Sequence, residues 1–388
     1  MNQLPAVLIF RFRIFLILGL AVFLAWSGDL LAVPQATSPA AGQFVIFDAP
    51  GAGTQFFQGT TPTYIDGHGE ILGWIQDANN VFHGFLRTVD GEFTIFDVPA
   101  AGTDQYQGTF APGLTPNGFN NRGDVAGQYL DANNTPHSFI RGDDGSIITF
   151  DPPESVAGSF ADGNNNRGIV VGGVNGANFL YHAFIRSETG SFELFDAPDA
   201  GTGGTAAQSQ GTLCTAINNE NDVVGIYADS NNQQHGFLRD KAGHVTEFQA
   251  PGAAGKILAY PYSINNRGEI SGLYSDANGS NHGFLRKRDG ELTAIDVEGA
   301  GTGEGLGTVA EVINDAGEIV GFYTDVNGLL RGFVRKADGS IFTFDAPGAG
   351  TSPGQGTFPA GINEKGDVTG SFTDANDVVH GFLLERHE

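Results

Sequence analysis

Cysteine is almost absent from this chain of 388 residues. Cys214 stands alone, so no intrachain disulfide can form and stability in an oxidising compartment has to come from the core. Basic residues are scarce too, 19 Lys and Arg against 44 Asp and Glu, for a formal net charge of −25. Such a surface repels phosphate backbones and anionic membranes and excludes nucleic acid as a partner. Methionine occurs only at position 1, and the two tryptophans are Trp26 and Trp74. No apolar run reaches the ~20 residues a bilayer core requires. Past the first 32 residues no sustained 3.6-residue apolar period occurs, which excludes a helical protein.

The longest apolar run, residues 14–26, follows Arg11 and Arg13 and precedes Ser27, Gly28 and a small-residue cleavage site at Ala32. This pattern is read as a secretory signal peptide over 1–32, with an uncleaved N-terminal anchor as the alternative. Without Arg11, Arg13 and Asp29 the formal charge is about −26. Residues 33–41 then form a linker to a single repeat domain over 42–388. The expected location is secreted, extracellular or periplasmic, as a monomer with no stable membrane span after processing.

Glycine and phenylalanine, by contrast, are plentiful, 58 and 31 residues. His-Gly-Phe-Leu-Arg or a variant starts at His83, His137, His182, His235, His282, Arg331 and His380. The first and last copies lie 297 residues apart over six intervals, a mean of 49.5. A period of this length signals an array of supersecondary units. One unit reads as four strands, 213–218, 222–227, 235–239 and 245–249, separated by Asn-, Asp- and Gly-rich turns. Most units then run into a link such as Phe344-Asp345-Ala346-Pro347-Gly348-Ala349-Gly350-Thr351. Pro ends the strand because it cannot donate to a ladder.

Four-stranded meanders joined by long crossing links predict an all-β fold, a β-propeller with seven four-stranded antiparallel blades. The phase at the termini addresses closure. Residues 43–48 match a fourth strand with no first three before them, and the last repeat stops after its third strand. The N-terminal strand is expected to complete the last blade and close the ring, leaving no open edge.

Parity puts the loop between strands two and three on the same face as the links. That face collects Asp77 and Asn79, Asp131 and Asn133, Asp229 and Asn231, Asp276 and Asn278, Asp325 and Asn327, and Asp374 and Asn376. These are weak ligand-binding candidates. Asx side chains equally stabilise their own turns, and that reading comes first. Calcium is the one cation considered, and it is poorly served, because no Asp-rich loop ends in the required Glu. No other cofactor is implied and no metal site is assigned.

The recurrent histidines, one per unit, cannot converge on one ion and are read as repeated structural hydrogen-bond donors. The phenylalanines two residues on are read as packing anchors. Arg87, Arg141, Arg186, Arg239, Arg286 and Arg335 are expected to pair with the Asp that follows the fourth strand. No catalytic triad order or nucleophile elbow is present, so no catalytic residue is assigned. His68, Trp74, Lys256, Tyr260 and Tyr262 break the repeat. Of these, Trp74, Tyr260 and Tyr262 join the ligand-binding candidates.

Ile264-Asn265-Asn266-Arg267-Gly268-Glu269-Ile270-Ser271-Gly272 with His282-Gly283-Phe284-Leu285 resembles the repeat of bacterial extracellular HAF-family proteins, and His182-Ala183-Phe184 carries that family's tripeptide. The resemblance spans nearly the whole mature chain and implies an exported repeat protein. It transfers no catalytic residue. The function expected is a secreted binding or interaction module for a cell-surface glycan or an envelope protein. The alternatives are a polysaccharide-active lyase or hydrolase with an asymmetric channel site, and a purely structural extracellular protein.

Overall fold

The computed structural model describes residues 42–110, 117–205 and 208–386. The leader and linker expected over 1–41 lie outside the described residues. The described chain is all-β, with 28 strands and one short 3₁₀ turn at Ala177–Phe179. No helix among the described residues is long and apolar enough to cross a membrane.

The chain opens with β1 (Gln43–Phe47). Four-stranded antiparallel meanders follow. The first unit is β2 (Gly59–Ile65), β3 (Ile71–Gln76), β4 (Phe82–Arg87) and β5 (Phe93–Phe96). The second is β6 (Gly108–Phe110), β7 (Val125–Leu130), β8 (Pro136–Arg141) and β9 (Ile147–Phe150). The third is β10 (Ser159–Asn164), β11 (Val170–Asn175), β12 (Leu180–Arg186) and β13 (Phe192–Phe195). The fourth is β14 (Gln210–Ile217), β15 (Val223–Ala228), β16 (Gln234–Arg239) and β17 (Val245–Phe248). The fifth is β18 (Tyr260–Ile264), β19 (Ile270–Ser275), β20 (Asn281–Arg286) and β21 (Leu292–Ile295). The sixth is β22 (Gly307–Ile313), β23 (Ile319–Thr324), β24 (Leu330–Arg335) and β25 (Ile341–Phe344). The last unit has β26 (Gly356–Ile362), β27 (Val368–Thr373) and β28 (Val379–Glu385). β1 pairs antiparallel with β28, Gln43 opposite Glu385 and Phe47 opposite Gly381.

Two glycine positions explain much of the repeat. The second-strand glycine sits opposite the phenylalanine of the third strand, as Gly73 does Phe85 and Gly272 does Phe284. The phenylalanine ring occupies the space a side chain on that glycine would need. Phe85, Phe139, Phe184, Phe237, Phe284, Phe333 and Phe382 are all fully buried, a contribution of about 1.5–3 kcal/mol each. The other glycine opens the first strand. Gly356, at φ +117°, bridges in parallel to Leu330 of the preceding unit, and a Cβ there would be driven into the Leu330 carbonyl oxygen. Only glycine tolerates both the angle and the approach.

The core is divided among successive unit interfaces. Leu72 of the first unit packs with Val125, Tyr129 and Phe139 of the second, and Ala126 of the second with Val170 and Phe184 of the third. Phe47 of β1 joins Ile71 and Phe85 of the first unit and Leu383 of β28.

Candidate functional site

The turns between second and third strands and the links between units share one face. Gln58, at the end of a link, donates its amide to the Ala78 carbonyl and the Asn80 side chain. Gln107 and Gln210 repeat this with Ala132 and Asn134, and with Ser230 and Asn232. Within the turns, Asp77 Oδ1 accepts the Asn79 and Val81 amides, both at 2.8 Å. Asp131, Asp276 and Asp374 make the same Asx turns, and the Asn133, Asn278 and Asn376 amides are among their donors. Partial burial pushes the Asp77 carboxyl up, but these donated hydrogen bonds outweigh it and hold the group below the ordinary aspartate value. One carboxylate oxygen of each Asp thus accepts the backbone amides of its turn and the other accepts the paired Asn Nδ2 at 3.1–3.4 Å, while that Asn lies on the surface. Among the described residues no three His, Cys, Asp or Glu side chains are arranged to hold a metal ion.

The third-strand histidines reach the aspartate that follows the fourth strand. Nδ1 of His83, His137, His182, His282 and His380 lies 2.7–3.0 Å from Asp97, Asp151, Asp196, Asp296 and Asp48. Arg331 does the same with Asp345 at 2.6 Å. In the fourth unit Gln249 replaces the aspartate, and His235 turns to Asp229 instead, at 3.4 Å. The expected arginine–aspartate pairs do not form, because this histidine already occupies the aspartate. Arg141, Arg186, Arg239 and Arg286 instead lie over Phe96, Phe150, Phe195 and Phe248 of the preceding unit, at 4.8–5.1 Å from the ring centroids. The hydrogen bond to Asp97 is the main influence holding the His83 imidazole above its ordinary pKa. Its stabilisation is therefore present below the ordinary histidine value and lost as pH rises through the raised folded value. Asp97→Asn is expected to bring that midpoint down in an NMR titration of His83, whereas an unmoved midpoint would refute the assignment.

The repeat is broken on this face by exposed aromatics. Phe57 (φ +56°), Tyr106 (φ +66°) and Phe179 (φ +58°) all adopt left-handed backbone and are exposed. Phe57 and Tyr106 occupy the link position filled by Gly305 and Gly354 in later units, where the angle is free of strain. Each amide there bonds to the previous unit's turn, Phe57 to the Asp377 carbonyl and Tyr106 to the Asn80 carbonyl. Phe56 stacks edge-on against Phe57, and Val156, at the corresponding link position of the third unit, is 71% exposed. The three aromatics went unsingled in the sequence because aromatics are common throughout it; at Phe57 and Tyr106, an aromatic where other links carry glycine was the available signal.

Trp74, Tyr260 and Tyr262 are not brought together. Trp74 packs on Phe82 and Phe110 in the first two units. Tyr260 and Tyr262 stack on each other in a separate cluster with Phe160, Leu213 and Phe322. Lys256 lends its carbonyl to the Gln234 amide, and His68 lies 2.9 Å from Asp66.

At the opposite face, the ends of the first strands form an amide ring that runs from the second unit to the seventh and is open at the first. Asn120 Nδ2 donates to the Asn165 carbonyl, Asn165 to Asn218, Asn218 to Asn265, Asn265 to Asn314 and Asn314 to Asn363, at 2.9–3.1 Å. A second row lies beside it. The amides of Asn121, Asn166, Asn219, Asn266 and Asp315 donate to the side chains of Asn166, Asn219, Asn266, Asp315 and Glu364. The first unit has Asp66-Gly67 at these positions, so both rows lose their amide side chains there. The ring surrounds a cavity of about 150 Å³. The Asn-Asn pairs were visible in the sequence but read as turns, since their partners lie 45 to 53 residues away.

Deeper in, the first strands carry β-bulges between Ala161 and Gly163, Pro261 and Ser263, and Ala310 and Val312. The bulged residues include Asp162, Tyr262 and Glu311, all buried. Burial pushes the Glu311 carboxyl up to about 8 and the Tyr262 hydroxyl well above its ordinary value.

No protein-family model matches the chain, and no curated protein matches it. Solved structures do. Streptogramin B lyase is 14% identical, over 89% of this chain and 99% of that one, with a TM-score of 0.54. The BP39L lectin from Burkholderia pseudomallei is 10% identical, over 90% and 99%, with a TM-score of 0.52. A chain in the mitotic checkpoint complex is 9% identical, over 92% and 100%, with a TM-score of 0.53. At such identities the likeness shows the fold alone, a β-propeller-like all-β architecture.

Proposed function

We propose that the chain is an exported, closed seven-bladed β-propeller that binds neutral glycan chains through the face carrying the links. The meanders are its blades, and β1 is the fourth strand of the last one. Support for closure comes from the β1–β28 ladder and from Arg87, which lies 4.8 Å over the Phe47 ring and so continues the arginine-on-phenylalanine series across the termini.

The observation that carries the binding reading is the set of exposed aromatics in left-handed backbone. A non-glycine residue there costs about 1 kcal/mol or more, and yet Phe57, Tyr106 and Phe179 keep 36–39% of their surface exposed there, beside the 59% exposed Phe56. Apolar rings stack on the C–H faces of sugars, and the surface Asp and Asn side chains of the Asx turns offer acceptors and donors to hydroxyls. Asp77, Asn79, Asp131, Asn133, Asp276, Asn278, Asp374 and Asn376 are that polar complement. The excess of carboxylates disfavours anionic polymers. Weak contacts on successive blades gain by avidity along a repeating chain. The enzyme alternative draws no support from Trp74, Tyr260 and Tyr262, which lie in separate clusters.

Affinity electrophoresis through gels containing neutral polysaccharides tests this reading. Phe57→Gly and Tyr106→Gly are expected to gain about 1 kcal/mol in stability by relieving the backbone, yet to bind about tenfold more weakly. Opposite signs in the two measurements are the signature of a binding role. Unretarded wild-type protein in every gel, or glycine variants that bind as well as wild type, would end the glycan reading.

A further inference from the structure

The cavity at the other face holds a second departure from the repeat. The residue preceding each amide ring position is Ile65, Phe119, Ile217, Ile264, Ile313 or Ile362, and in the third unit alone it is Asn164. Asn164 lines the cavity and is only 7% exposed. Its Nδ2 donates to the Asp124 carbonyl at 2.9 Å, but its Oδ1 is buried with no hydrogen-bond partner. Leaving such an acceptor unpaired in the interior is destabilising, whereas the isoleucine of the other units leaves none.

Asn117 and Ser263 also line the cavity from the second and fifth units. Asn117 Nδ2 spans the interior to the Tyr262 carbonyl at 2.7 Å. Asp315 and Glu364 line it from the sixth and seventh units. Burial raises the Glu364 pKa and the charge of Asp315 adds to it, against the hydrogen bonds donated by the Asp315 and Ala316 amides and the weaker pull of Arg267. The rim lacks a side chain at Gly67, beside Asp66. The cavity is therefore lined by amides interrupted by two carboxylates, with an unpaired acceptor in its wall. Its volume suits one sugar ring rather than a chain.

We propose that this cavity is a second binding site, separate from the aromatic face, for a small polyhydroxylated ammonium compound of the amino-sugar class. The ammonium is placed at Asp315 and Glu364, and a hydroxyl donates to Asn164 Oδ1. The acidic rim selects the cation, and the acceptor rewards a donor that isoleucine could not use.

Glucosamine hydrochloride is the probe, titrated into the folded domain while the side-chain amide signals of Asn164 and Asn117 are followed by NMR, with glucose and N-acetylglucosamine in parallel. Glucosamine is expected to shift both signals saturably and the two neutral sugars to bind at least tenfold more weakly. Asn164→Ile restores the residue type of five other units, so it is expected to fold and to melt no lower than wild type, while its glucosamine affinity falls at least tenfold. Glu364→Gln is expected to narrow the preference for glucosamine over glucose. The proposal is overturned if glucosamine leaves the Asn164 and Asn117 signals unmoved, if Asn164→Ile binds as tightly as wild type, or if glucose binds as well as glucosamine. These outcomes are independent of polysaccharide retention by the aromatic face.

Discussion

A domain lacking residues 43–48 is expected to lose roughly 6–10 kcal/mol of stability, more than the ~3–5 kcal/mol for truncating one fully buried phenylalanine to alanine. The loss has several sources. Phe44 packs between Phe344 and Phe382 at 6.1 and 5.8 Å, and Phe47 seats against Phe93 beneath the Arg87 guanidinium. The ladder from Gln43–Glu385 to Phe47–Gly381 goes with them, as does the hydrogen bond between His380 and Asp48. β28 would then present an unpaired edge, an aggregation template. Thermal melts of intact and truncated domains measure the effect, and a synthetic peptide of residues 42–50 added in trans should recover much of it. An unchanged melting temperature would show that β1 merely rests on β28 and would refute the proposed closure.

The second large effect comes from the interior. Glu311 is 5% exposed, and burial raises its carboxyl to about 8. At low pH both folded and unfolded chains carry the proton, so burial costs little. Above the ordinary glutamate value the unfolded chain ionises while the folded one holds its proton, and stability falls until pH passes about 8. Glu311→Gln removes this dependence. It is expected to stabilise by about 4 kcal/mol at pH 9 and by almost nothing at pH 4. In melting temperature that is an increase of roughly 5–10 °C at the alkaline end only. Melting curves of variant and parent that stay parallel across this range would mean that Glu311 is solvated or paired in solution.

Much of the architecture was legible because it is local. The Asx turns at Asp77 and Asp374 close within four residues, and the glycine–phenylalanine pairs sit on adjacent strands joined by a short hairpin. The phase offset at the two ends pointed to the partnership of β1 and β28. The arginine partners were misjudged because both histidine and arginine can serve an aspartate, and strand register alone decided which one reached it. Asn164 was overlooked for a related reason. In the sequence it is one more asparagine in a run of three, and only its burial beside isoleucine-bearing neighbours distinguishes it.

The sequence by itself determined the strand order, the turn chemistry, the repeat length and the all-β class. Each of these depends on side-chain periodicity or on residues within one hairpin. Tertiary structure decided which residues meet across units: the amide ring, the arginine-on-phenylalanine stacks and the burial of Glu311 and Asn164. Those contacts join positions more than 35 residues apart in sequence, or depend on bulges that turn a side chain against the strand's alternation. Neither distance nor bulge leaves a local trace in the chain.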